Sequence, residues 1–139
     1  MPKPILCLDF DGVCHSYTSG WKGATTIPDP PVEGMWPFII AAARRFEIHV
    51  YSSRSHQEGG ISAMIDWFAD HLVTYPGQWY FFKRYSDRMV IFRAETPLWL
   101  QFPKKKPSAM VTLDDRALTF TGVWPDVDAL REFKPWNKA

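Results

Sequence analysis

The sequence predicts an α/β protein with a central, mostly parallel sheet, and three observations predict it. Short apolar runs alternate along the chain with stretches of helical period, the pattern of strands joined by crossover helices. Two of those runs, far apart in sequence, stop at paired acids, Leu8-Asp9-Phe10-Asp11-Gly12 and Leu113-Asp114-Asp115. In an open parallel sheet the carboxyl ends of strands share one crevice, so the two pairs belong together if their strands are neighbours. The chain of 139 residues, 46% of them hydrophobic, has the size of one ordinary domain with a real core. No repeat, linker or low-complexity segment divides residues 1–139.

The elements follow in order. Ile5-Leu6-Cys7-Leu8 reads as a buried strand that leaves Asp9 and Asp11 just beyond its carboxyl end. Gly20, Gly23, Pro28, Pro30 and Pro31 make 12–31 an irregular loop or small flap. A helix begins near Val32, with Pro37 in its first turn and Arg44 and Arg45 at its end. Phe46 to Tyr51 is a second strand, running into the turn Ser52-Ser53-Arg54-Ser55. Ile61, Met64, Ile65, Phe68 and Leu72 fall at spacings of three and four and predict a helix from about Glu58 to Leu72. From Tyr75 to Glu95 no period is clean and no element is assigned. Strands are expected at Leu98–Phe102, Ala109–Leu113 and Ala117–Thr121, and a last helix at Val127–Phe133.

Composition narrows the class of function. The net charge of +1 gives no whole-molecule attraction to nucleic acid. The seven tryptophans are dispersed, which suits packing better than a base-stacking platform. No apolar run approaches the roughly 18 residues of a membrane-spanning helix, and the two cysteines form no disulfide framework, so a soluble, cytoplasmic protein with no membrane partner is expected. Cys14 lacks a histidine partner in the local pattern and is a poor candidate nucleophile.

Three or four carboxylates converging on one crevice repel one another, and a hard divalent cation with oxygen ligands is the simplest compensation. Magnesium suits this better than calcium, because it takes one or two carboxylates together with waters and a substrate phosphate. The competing reading makes each acidic pair a polar strand terminus, with Asp11-Gly12 a turn signal.

The motifs together resemble the haloacid dehalogenase superfamily of phosphotransferases. Its first motif, Asp-x-Asp-Gly after a strand, stands here as Asp9-Phe10-Asp11-Gly12-Val13; its second, an apolar strand then Ser or Thr, as Ile48-His49-Val50-Tyr51-Ser52. Lys104-Lys105-Lys106-Pro107 offers the lysine of the third, and Met110-Val111-Thr112-Leu113-Asp114-Asp115 fits the fourth. The resemblance implies a three-layer Rossmann-like sandwich and a magnesium-dependent phosphatase. Asp9 is then the nucleophile that becomes an aspartyl-phosphate, Asp11 the general acid and base, Ser52 a hydrogen-bond donor to the phosphoryl group, and Lys106 the charge-balancing lysine. Lys104, Lys105 and Lys83 are alternatives for that last role. Asp9, Asp11 through its carbonyl, Asp114 and Asp115 would hold Mg2+, and Ser53, Arg54 and Lys105 would contact substrate. His15, Lys22 and His56 join Arg54 as residues expected at the rim.

About twenty residues after the first motif and some 25 between Leu72 and Leu98 are short for a folded cap, so the crevice is expected to be open to a phosphorylated substrate, small or macromolecular. Two other readings stand beside the phosphatase: a nucleic-acid end-processing protein resembling a 3'-phosphatase, and a non-catalytic module that binds metal or phosphate.

Overall fold

In a computed structural model, residues 2–76, 79–93 and 96–138 are described. Six strands form one mixed sheet in the order β3-β4-β5-β2-β1-β6: β1 (Ile5–Leu8), β2 (Glu47–Val50), β3 (Trp79–Arg84), β4 (Arg88–Arg93), β5 (Thr96–Gln101) and β6 (Val111–Leu113). The pairs β1–β2, β1–β6 and β2–β5 are parallel, while β3 and β4 form an antiparallel hairpin whose second strand pairs antiparallel with β5. The α/β character and the parallel centre agree with the sequence reading. Among the described residues no helix is long and apolar enough to cross a membrane.

Helix α1 (Met35–Ala42) starts three residues later than expected because Gly34 adopts a left-handed conformation, φ 86°, and breaks the run from Val32. Pro37 falls at the third helical position, where its missing N–H costs no intrahelical bond. Helix α2 (Gly60–Thr74) turns Ile61, Met64, Ile65, Phe68 and Leu72 inward as their spacing predicts, and adds Trp67. The two helices meet through Trp36 and Phe68, ring centroids 5.9 Å apart. Together they cover Leu6 and Leu8 of β1, Ile48 and Val50 of β2, and Leu98 and Leu100 of β5 in one core cluster. Full burial of a side chain such as Phe68 or Phe102 contributes roughly 1.5–3 kcal/mol. Cys7 and His49 alternate with these residues and face the other side of the sheet.

Three expectations need correction. The unassigned segment from Tyr75 to Glu95 contains the β3–β4 hairpin, with positions 77, 78, 94 and 95 outside the described residues. Its period is hidden because Met89, Val90 and Ile91 are buried in succession, so β4 is covered on both faces where alternation would require one face in water. No strand forms at Ala117–Thr121, which lacks a partner beyond β6, the last strand of the sheet. The last helix, α3 (Val127–Arg131), ends two residues short of Phe133 and buries none of its residues.

One glycine fixes how α2 docks. A Cβ on Gly60 would lie 1.9 Å from the Arg54 carbonyl oxygen, which is backbone and cannot swing aside. Gly60→Ala is expected to destabilise the chain by about 1–3 kcal/mol through forced displacement of the helix start, measured by urea denaturation; unchanged stability would show that the contact relaxes freely.

Candidate functional site

The site is built on the carboxyl ends of β1 and β6, which lie side by side. Leu8 pairs with Leu113, and the Asp9 amide donates to the Leu113 carbonyl at 2.9 Å, so both acidic motifs leave the sheet at the same level. Carboxylate oxygens of Asp9, Asp114 and Asp115 lie within 4.8 Å of one another. Asp115 is 2% exposed at its side chain, and among the described residues neither of its oxygens has a hydrogen-bond donor. Gly12 makes this approach possible: with φ 84°, it presents bare backbone to Asp115, whose Oδ2 would stand 2.1 Å from any Cβ there. Asp114 is exposed and accepts from the Arg116 amide at 2.8 Å.

Electrostatics follow from this crowding. Burial, the Asp115 carboxylate beside it and the Asp114 charge push the Asp9 carboxyl up to about 8. With all three groups ionised, Asp115 has no donor; with Asp9 protonated, the Asp9 hydroxyl can donate to it. A hard cation could take the place of that proton. The donor set, three carboxylates with two orphaned buried oxygens, could hold a metal ion.

Asp11 is held apart from the cluster. Its Oδ1 accepts from His15 Nδ1 at 2.9 Å and from Arg54 Nη2 at 3.1 Å, and its Oδ2 accepts from Arg54 Nε at 3.0 Å. Burial by itself would raise the Asp11 carboxyl, but hydrogen bonds from His15 and Arg54 and the guanidinium charge outweigh it and hold the group below the usual carboxylate range. The His15 Nε2 accepts from the Asp29 amide at 3.1 Å, which assigns the proton to Nδ1, facing Asp11.

Arg54 is fully buried, and its Nη1 donates to carbonyls of the 12–31 loop, to Gly23 at 2.8 Å and to Ala24 at 2.9 Å. The Trp21 ring covers the guanidinium at 4.6 Å. With the Trp67 indole donating to the Asp29 carbonyl at 3.0 Å, the loop is fastened to both the Ser52–His56 turn and α2. The expected flap is therefore a pinned wall.

Other predicted residues land in varied places. Arg54 and His15 are interior staples instead of rim groups. The Ser52 hydroxyl accepts from the Arg54 amide at 3.0 Å and is directed at Met64 Sδ, 3.7 Å away, so it caps the turn. Ser53, Lys22, Lys104, Lys105 and Lys106 are exposed, and His56 bonds Tyr51. Among the described residues no lysine forms an ion pair with Asp9, Asp114 or Asp115. Burial raises the Cys7 thiol, against a hydrogen bond with Thr112 and the Lys106 charge. Lys83 lies on β3, four strands from β1 and so about 19 Å away. Cys14 is fully buried, and burial drives its thiol far above any reactive range. Sequence reasoning missed Asp29, Trp67, Arg116, Tyr17 and Trp136, whose indole donates to the Gly12 carbonyl at 2.7 Å. Only Arg116, directly after the acidic pair, carried a local signal.

Comparison with protein-family models, with curated proteins and with solved structures finds no match.

Two outcomes are expected. Removing Arg54 leaves Asp11 buried without its cation, so Arg54→Met costs about 3–5 kcal/mol; the double variant with Asp11→Leu loses clearly less than the two single losses combined, a coupling that chemical denaturation measures. A cation binding at Asp9 must displace its proton below about pH 8, so Mg2+ affinity rises with pH between 6 and 8 and levels off above. Calorimetry in buffers of different ionisation enthalpy reads the released proton, and a pH-independent affinity would refute the assignment.

Proposed function

We propose that the chain is a Mg2+-dependent phosphomonoester hydrolase acting through an aspartyl-phosphate on Asp9. The observation that carries the proposal is the convergence of Asp9, Asp114 and Asp115, with the Asp115 oxygens buried and without donors. The order of the motifs, in which the chain resembles haloacid dehalogenase-type phosphatases, supports the same reading. The three-layer Rossmann-like sandwich belongs to this proposal too, with α1 and α2 as one covering layer and the face bearing Cys7 and His49 as the side for another.

Asp9, Asp114 and Asp115 would hold the metal, with the Asp11 carbonyl as a further candidate ligand; bound there, Mg2+ supplies charge to offset the carboxylates and the phosphoryl oxygens. Asp9 attacks phosphorus as its Oδ–P bond forms and the bond to the leaving oxygen breaks. Water then attacks the aspartyl-phosphate, Asp11 accepts its proton, and Asp9 and inorganic phosphate are released. His15 and Arg54 orient Asp11 and keep it in the basic form this second step needs. The same grip opposes proton donation to the leaving group in the first step. Leaving groups that depart as anions are thus favoured.

The proposal predicts Mg2+-dependent release of phosphate from p-nitrophenyl phosphate, lowered on the order of a thousandfold or more in Asp9→Asn. Aryl phosphates should be turned over faster than alkyl phosphates. A wild-type chain inactive across a broad phosphoester panel with Mg2+ present sinks the proposal.

A further inference from the structure

With Asp9 ionised, as metal binding there would require, Asp9, Asp114 and Asp115 would carry more negative charge than one divalent ion cancels, and a phosphomonoester adds about two more negative charges at neutral pH. Arg54 offers no relief, because its donors are committed to Asp11 and to loop carbonyls. Arg116 stands differently. Its backbone is fixed by the Asp114 carboxylate, while its guanidinium is 58% exposed and reaches Asp115 only at 3.9 Å, beyond hydrogen-bond distance. The root of the side chain is anchored, and its head is exposed with only a long ion pair to Asp115.

Tyr17 lies two residues beyond His15 in the loop that follows the first acidic pair. Among the described residues it is the only non-glycine with positive φ, at 62°, and such backbone strain gathers where a side chain must be aimed. Its ring meets buried His15 edge-on at 5.8 Å, the same His15 that grips Asp11. Burial and the nearby Asp11 charge push the Tyr17 phenol up. Among the described residues that hydroxyl has no hydrogen-bond partner. The short loop carrying it is held by the chain's end: Trp136 donates to Gly12, and Asn137 donates to the Ser16 carbonyl at 3.1 Å.

We infer that Tyr17 and Arg116 are substrate-contacting residues of the acidic crevice, the phenol donating to the bound phosphoryl group and the guanidinium pairing with its charge. The inference takes its ligand from the phosphohydrolase reading, but its test needs only the binding of phosphate.

The experiment is calorimetric titration of inorganic phosphate into the full chain with Mg2+. Arg116→Ala weakens binding about ten- to hundredfold and Arg116→Lys recovers part of the loss, as for a charge-assisted hydrogen bond. Tyr17→Phe, which keeps the ring against His15, weakens binding about three- to tenfold with the melting temperature unchanged in the absence of phosphate. Wild-type affinity in both variants overturns the inference, as does a wild-type chain that binds no phosphate. A wild-type chain that binds phosphate yet hydrolyses no phosphoester sinks the enzymatic reading alone, and the variants then still decide this one.

Discussion

The fold around the crevice depends on one buried cation, Arg54. Taking a guanidinium fully out of water is expensive, and it is tolerated only when every donor finds an acceptor in good geometry. Asp11 supplies both carboxylate oxygens to one side of it, and the carbonyls of Gly23 and Ala24 take the other. Those carbonyls lie in a stretch with no secondary structure to satisfy them, so loop and guanidinium solve each other's problem. A segment rich in glycine and proline becomes a wall of the site without a hydrophobic core of its own.

This arrangement divides the acidic residues into two kinds. Asp11 is gripped by a buried cation and stays ionised, whereas Asp9, Asp114 and Asp115 have been gathered with only the exposed Arg116 beside them. The same crowding that raises the Asp9 carboxyl is what a bound cation, under the proposal, would offset. Two carboxylates two residues apart thus acquire opposite tendencies from their surroundings, and the proposed chemistry, a nucleophile beside a base, uses that difference.

Much of this was legible in the sequence, and the reasons are local. The run Ile5–Leu8 and its acidic end, the period of Ile61, Met64, Ile65 and Phe68, and the second acidic pair are each set by neighbours within a turn or a strand. That the pairs meet followed from a general property of parallel sheets, and the pairing of Leu8 with Leu113 bears it out. The hairpin from β3 to β4 was not legible, since in β4 burial on both faces erases the alternation that marks a strand. Nor was the inward turn of Arg54 and His15. A charged residue after a strand reads as a rim group, and only acceptors 28 to 43 positions away in the chain show that it is not. Trp136 illustrates the same limit, bonding a residue 124 positions away.

Gly12 shows how closely the two acidic motifs are tied. Read alone, Asp11-Gly12 is a turn signal, and the left-handed φ of Gly12 agrees with that reading. The turn is only part of the constraint, because the space a side chain would fill there is occupied by the Asp115 carboxylate. The glycine of the first motif is thus required by an acid of the second, more than a hundred residues on. Two polar strand termini that merely happened to be neighbours would have no reason to interlock in this way, or to leave both oxygens of Asp115 without a donor. Gathering carboxylates where they lack donors is costly in a folded chain, and a cation would be the simplest agent to offset that cost.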